Sequence, residues 1–292
     1  IYPLSLHDAL PISLRSNEFS TTYGLRFTSI GPYRLFAYLS VPVGEGPFPT
    51  LIYLARYAST VEVIPQGDAD EKRGRFAVLS LAARGQRNAD HPWTAPFPGL
   101  LTEGIDDPRG YVFRGIVADC CRAVDVALSL PEVDESRLAL LGANDLPLLT
   151  AALRPAASHA IATPDLFHRA LERAAHTQAY PLEELNDYLR LFPDRRSKVA
   201  ATLAYFPIGT FSSDPAFPSY VKTGPVPNRD KKWVPDLLFY LPVLFTKYSG
   251  PRRKILRSPI QVSHRGHTWD PFNVELSDRK STRLNSSHTS IS

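Results

Sequence analysis

The chain has 292 residues, 43% of them hydrophobic and 21% charged, with a formal net charge of +4. That length and apolar share suit one α/β domain, or one with an inserted cap, and no apolar run is long enough to span a bilayer. The charge is too mild to call for nucleic acid or another polyanion, and no His, Asp, Glu or Cys grouping has the spacing of a metal site.

Both ends are expected to be foreign. Leu4–Ser13 and Asp278–His288 read as translated sequencing adapters, so 1–13 and 278–292 are set apart and the domain is expected over 14–277, truncated at both ends. The absence of Met agrees with a clipped N-terminus. Location then defaults to the cytoplasm, with a lost signal peptide left open. Cys120 and Cys121 are sequence neighbours, a poor geometry for a disulfide, and read as small buried residues on a helix.

In chain order, Arg34–Val41 and Thr50–Leu54 are short aromatic and branched runs separated by a Gly/Pro turn at 44–49. Phe76–Leu81 and Arg137–Gly142 are further apolar runs of strand length. Between them, Ile116, Cys120, Val124, Ala127 and Leu128 recur at helical spacing within 114–130. Strand, helix and strand in this order make a crossover unit, and continuous apolar strands need cover on both faces. The fold class is therefore α/β: an open, mostly parallel, twisted sheet with helices on both faces. Asp165–Phe206 reads as a helical cap of three segments, 165–175, 181–191 and 195–206. The sheet is expected to resume near Tyr220–Thr223, followed by a helix over 235–248 and a strand at Lys254–Leu256.

The stretch Gly-Ile-Asp-Asp-Pro-Arg-Gly-Tyr-Val-Phe-Arg-Gly at 104–115 continues through Asp119, Arg122–Asp125 and Leu130–Arg137. Together with Arg84-Gly85-Gln86, Tyr180–Arg190 and Thr202–Tyr205, it resembles the acetylxylan esterase and cephalosporin-C deacetylase family of α/β-hydrolases. The likeness runs from about Phe27 to His264 and weakens after Phe206. It implies a serine esterase that removes acetyl groups from sugars and related small esters, with no cofactor, often as a homo-oligomer. The expected ligand is then small, acetylated and carbohydrate-like.

Such chemistry needs a serine on a sharp strand-to-helix turn, a histidine base, a carboxylate that orients it, and two backbone donors for the oxyanion. Here the turn reads Gly142-Ala-Asn-Asp-Leu146, with Pro147 next. Asn144 stands at the nucleophile position, and a carboxamide is no useful nucleophile. Asn, Asp and Pro are also ordinary residues for a turn into a helix. The expected outcome is a homologue inactive or strongly impaired as a serine esterase. The alternative is a changed nucleophile, Asp145 acting with His264, although Asp145 is displaced by one residue.

The resemblance places the oxyanion donors at the N–H groups of Tyr57 and Asp145. A carboxylate side chain at the latter works against developing negative charge, and Tyr57 reads equally as a packing aromatic. The triad acid is matched by Asp230, which reads equally as a solvated loop charge. The base is matched by His264, with His267 as the alternative. The three glycines at 99, 104 and 110 follow the family's own loop and match no phosphate-binding motif.

Overall fold

The computed structural model describes residues 11–31, 33–54, 56–61, 74–90, 94–142, 144–162, 166–208 and 219–221. They form one sheet and five helices. The strands are β1 (Ile12–Ser16), β2 (Ser20–Thr28), β3 (Arg34–Pro42), β4 (Phe48–Leu54), β5 (Ala77–Ala82), β6 (Val133–Gly142), β7 (His159–Ala162) and β8 (Ser219–Val221). The helices are α1 (Val112–Leu128), α2 (Leu146–Leu153), α3 (Ala170–Ala174), α4 (Glu183–Leu191) and α5 (Arg196–Leu203). The four strands and the long helix expected before residue 143 all form, each within a few residues of its expected bounds. β1, β2 and β7 were not anticipated, and β1 takes in Ile12 and Ser13 of the segment set apart above.

The spatial order is β1-β2-β3-β5-β4-β6-β7-β8. From β5 to β8 every neighbouring pair is parallel. β1, β2 and β3 join antiparallel at one side, so the sheet is mostly parallel, as expected, with an antiparallel edge. The reason lies in the side-chain pattern. β5 is buried along its whole length, as a strand inside a parallel sheet must be, whereas β2 alternates buried and half-buried residues in the manner of a hairpin strand with one wetter face. The β2–β3 hairpin closes with the Ser29 N–H donating to the Tyr33 carbonyl at 2.8 Å.

Because successive strand residues point to opposite faces, the apolar run of each central strand divides into two sets. Ile52, Leu54, Leu79, Leu81, Leu138 and Leu140 join the main core, with Phe113, Ile116, Cys120 and Val124 of α1 and with Leu148 and Leu149 of α2. Leu51, Val78, Ala139, Leu141 and Ile161, with Phe76, form a separate buried cluster on the other face, to which no described helix contributes. Both cysteines of α1 are buried, as a small-residue role requires, and burial pushes the Cys121 thiol up to about 11. Among the described residues no helix is long and apolar enough to cross a membrane.

α3, α4 and α5 follow β7 as the helical excursion. Their apolar residues, including Ala170, Leu185, Tyr188 and Val199, join the main core and not one of their own. This part of the chain is therefore docked on the sheet-and-helix body. The helix expected over 235–248 and the strand at 254–256 lie outside the described residues.

Candidate active site

The strand order reverses between β4 and β6. β4 leads to β5 on one side, whereas β6 leads through α2 to β7 on the other. In open α/β sheets the crevice at the carboxyl ends of such strands is where ligands bind. The two strands end in register, Leu54 beside Gly142. The loop carrying Tyr57 and the turn carrying Asn144 and Asp145 therefore leave the sheet side by side.

Asn144 is 2% exposed, and its Oδ1 accepts the N–H of Leu146 at 3.0 Å. This bond satisfies one of the first-turn donors of α2 that the helix itself leaves without a partner. Pro147 follows within the first turn, where a missing N–H costs nothing, and Leu146 is buried in the main core where the sharp turn of a serine elbow calls for glycine. The Asn144 carboxamide is thus folded back onto the helix start.

Asp145 is 0% exposed. Its Oδ2 accepts the N–H of Leu166 at 2.7 Å and that of Phe167 at 3.3 Å. The carboxylate therefore ties the turn after β6 to the segment after β7. Asp145 Oδ2 thus faces two backbone donors of a different segment.

Tyr57 does more than pack. Its ring stacks on Phe113 with centroids 6.3 Å apart, and its hydroxyl donates to the carboxylate of Glu184, 2.7 Å from each oxygen. The N–H of Leu101 points at the same place, 2.8 Å from Glu184 Oε2 and 2.6 Å from the Tyr57 oxygen. Burial, followed by the neighbouring Glu184 charge, pushes the Tyr57 phenol far above its ordinary range. Burial likewise raises the Glu184 carboxyl, although the hydrogen bonds from Tyr57, Tyr180 and Leu101 pull the other way.

Arg84-Gly85-Gln86 lies on the loop after β5 and braces this wall. The Arg84 guanidinium grips Asp119 of α1 with two bonds of 2.8 Å, and its own N–H adds a third at 3.1 Å. Gly85 has φ +87, and a Cβ there would lie 2.6 Å from a methyl of Leu100. The Gln86 amide donates to the Arg56 carbonyl at 3.1 Å, so the motif holds the residue before Tyr57.

Tyr57, Asn144, Asp145 and the Arg84–Gln86 motif thus converge at neighbouring strand ends. Asp230, His264 and His267 lie outside the described residues. Among the described residues, no group of three or more His, Cys, Asp or Glu side chains is arranged to hold a metal ion. A cleft of about 680 Å³ opens on the cap, lined by His176, Glu183, Asn186 and Arg190 among others, with none of the elbow residues. Sequence reasoning missed Asp119 as the partner of Arg84, and Glu184 altogether. The available signal for Glu184 was its place on the same helical face as Leu185 and Tyr188, where an apolar residue is the rule.

A family model described as acetyl xylan esterase (AXE1) matches residues 11–224. Among curated proteins, the chain is 28% identical over 220 residues to "Acetyl esterase Axe7A" of Xylanibacter ruminicola, covering 69% of this chain and 48% of that protein. It therefore spans about half the length of that relative. Among solved structures, an acetyl xylan esterase from a Paenibacillus species superposes with a TM-score of 0.60 at 26% identity, covering 69% of this chain and 68% of that one. Acetyl xylan esterase 1 from a Thermoanaerobacterium species gives a TM-score of 0.65 at 23% identity over 82% and 91%, a likeness of fold. With the α/β-hydrolase sheet order in place and nearly three quarters of its length matched, the chain belongs to the acetyl xylan esterase family.

Proposed function

We propose that this chain is an acetyl xylan esterase homologue that keeps the fold and the walls of the crevice but has lost serine-ester hydrolysis. Its ligand on this reading is a small acetylated molecule, carbohydrate-like or of the cephalosporin-C kind, bound without a cofactor by a protein that self-associates as a homo-oligomer. One observation carries the proposal: the side chain at the nucleophile position is a buried carboxamide whose oxygen accepts the first N–H of α2. A carboxamide holds its N–H protons too tightly to pass one to a histidine and is a poor nucleophile. Loss of the serine from such a machine lowers turnover by roughly 10⁶-fold, because nucleophile, base and acid act as a unit.

The competing assignment of Asp145 as nucleophile with His264 requires a carboxylate facing the crevice. Asp145 Oδ2 instead takes the Leu166 and Phe167 N–H groups, within a residue wholly closed to solvent. The deciding experiment is acetate release from 4-nitrophenyl acetate by the full chain, with an active family esterase as control. Turnover at the buffer blank is expected. Release well above the blank that disappears in Asp145→Ala or His264→Ala would overturn the proposal.

A further inference from the structure

We infer that Glu184 is a positioning residue: by holding the Tyr57 hydroxyl and the Leu101 N–H it couples the cap helix α4 to the loop that leaves β4, so that cap and loop open and close as one unit. Three stretches far apart in the chain meet on this carboxylate, namely 57, 99–101 and 184. Glu184 is 2% exposed, so its charge has been taken from water, and the donors around it are what makes that tolerable. Gly99 faces it so closely that any Cβ would overlap the carboxyl. The Tyr180 ring, one residue before the first turn toward α4, meets the Tyr57 ring edge-on at 5.6 Å. The titratable groups around Glu184 are Tyr57, Tyr180, Tyr111 and Asp187.

A helix that only had to cover the main core would place an apolar side chain here, as it does at Leu185. The carboxylate instead selects one position of the Tyr57 ring, and with it the path of the main chain beside the turn at Asn144. A wall fixed in this way is useful to a binding crevice whether or not the chain cleaves an ester, so the inference does not rest on the proposed loss of activity.

Amide hydrogen exchange on the full chain tests it. Tyr57→Phe removes one oxygen and leaves the stacked ring in place. Exchange should accelerate at least about tenfold in both 56–61 and α4, the size expected for losing a hydrogen bond to a charged group, while β6 amides keep their protection. Glu184→Gln should do the same, and the double variant should add little to either change. Gly99→Ala, which perturbs the carboxyl from the third stretch, should reproduce the pattern. Acceleration confined to one of the two segments, full additivity in the double variant, or an equal loss of protection in β6 would overturn the coupling. Should Glu184→Gln fail to fold, Tyr57→Phe and Gly99→Ala decide the matter.

Discussion

The carboxylate of Asp145 lies 2.7 Å from the N–H of Leu166, in a contact wholly closed to solvent. Asp145 is therefore part of the scaffold, joining the ends of two neighbouring strands. Asp145→Ala strips both Leu166 and Phe167 of their acceptor, and should lower unfolding stability by about 2–3 kcal/mol in urea denaturation. Asp145→Asn keeps one carbonyl oxygen and should recover part of the loss. An Asp145→Ala protein as stable as the parent would mean that the tie contributes nothing.

Asn144 is expected to steady the start of α2 from one residue before its N-cap, Asp145. Asn144→Ala should cost about 1 kcal/mol, whereas Asn144→Ser should stay within a few tenths of the parent, since both side chains accept a first-turn N–H. Thermal unfolding of the two variants side by side distinguishes this role from simple volume loss, which would rank them together.

The Arg84–Asp119 pair is a different kind of contact. Among the described residues, Arg84 carries the bidentate grip on a fully buried carboxylate. Arg84→Ala strands that charge in the core and should cost about 3–5 kcal/mol, far more than loss of an exposed pair such as Arg169 with Glu172. Chemical denaturation of Arg84→Ala and Arg169→Ala makes the comparison directly.

The pH dependence follows from the raised groups around Tyr57. A carboxyl whose folded pKa is raised holds its proton more tightly in the native state, so stability is greatest below its unfolded value and falls as pH climbs through the folded one. Glu184→Gln should therefore flatten the decline seen on leaving the acid range. The Tyr57 phenol acts in the same sense at the alkaline end: above its ordinary value of 10.0 the unfolded phenol ionises first, and stability drops. Tyr57→Phe should lessen that drop without abolishing it, because Tyr111 and Tyr180 are raised too. Urea titrations from about pH 4 to about 11 would measure both slopes.

What was legible in the sequence divides by how local its cause is. The strands at 34, 50, 76 and 137 are dense apolar runs, and α1 repeats its stripe over 17 residues, so each announces itself within a short window. β7 is only His-Ala-Ile-Ala, too short for any periodicity, and β2 spreads its apolar residues among threonines. The antiparallel edge depends on which strands find one another, which no window contains. In the site, the proposed loss of the nucleophile at Asn144 rests on chemical identity and is readable from one letter. The turning of Asp145 toward Leu166, and the capture of Tyr57 by a glutamate 127 positions away, arise from tertiary packing alone. Glu184 carried only a faint sign, an acid on an apolar face.

The strand order also governs how the molecule can be assembled. β4 sits at the middle of the sheet, yet one neighbour, β5, follows it at 77–82 and the other, β6, only at 133–142, where Leu51 meets Ala139. Closing so long a loop carries an entropy cost before any contact repays it, and chains dominated by such distant pairings fold slowly. During synthesis, the apolar residues of β4 must therefore wait, one edge bare, until the ribosome has released β6. A nascent chain halted before Val133 would expose that edge, and association between such fragments is the failure to expect.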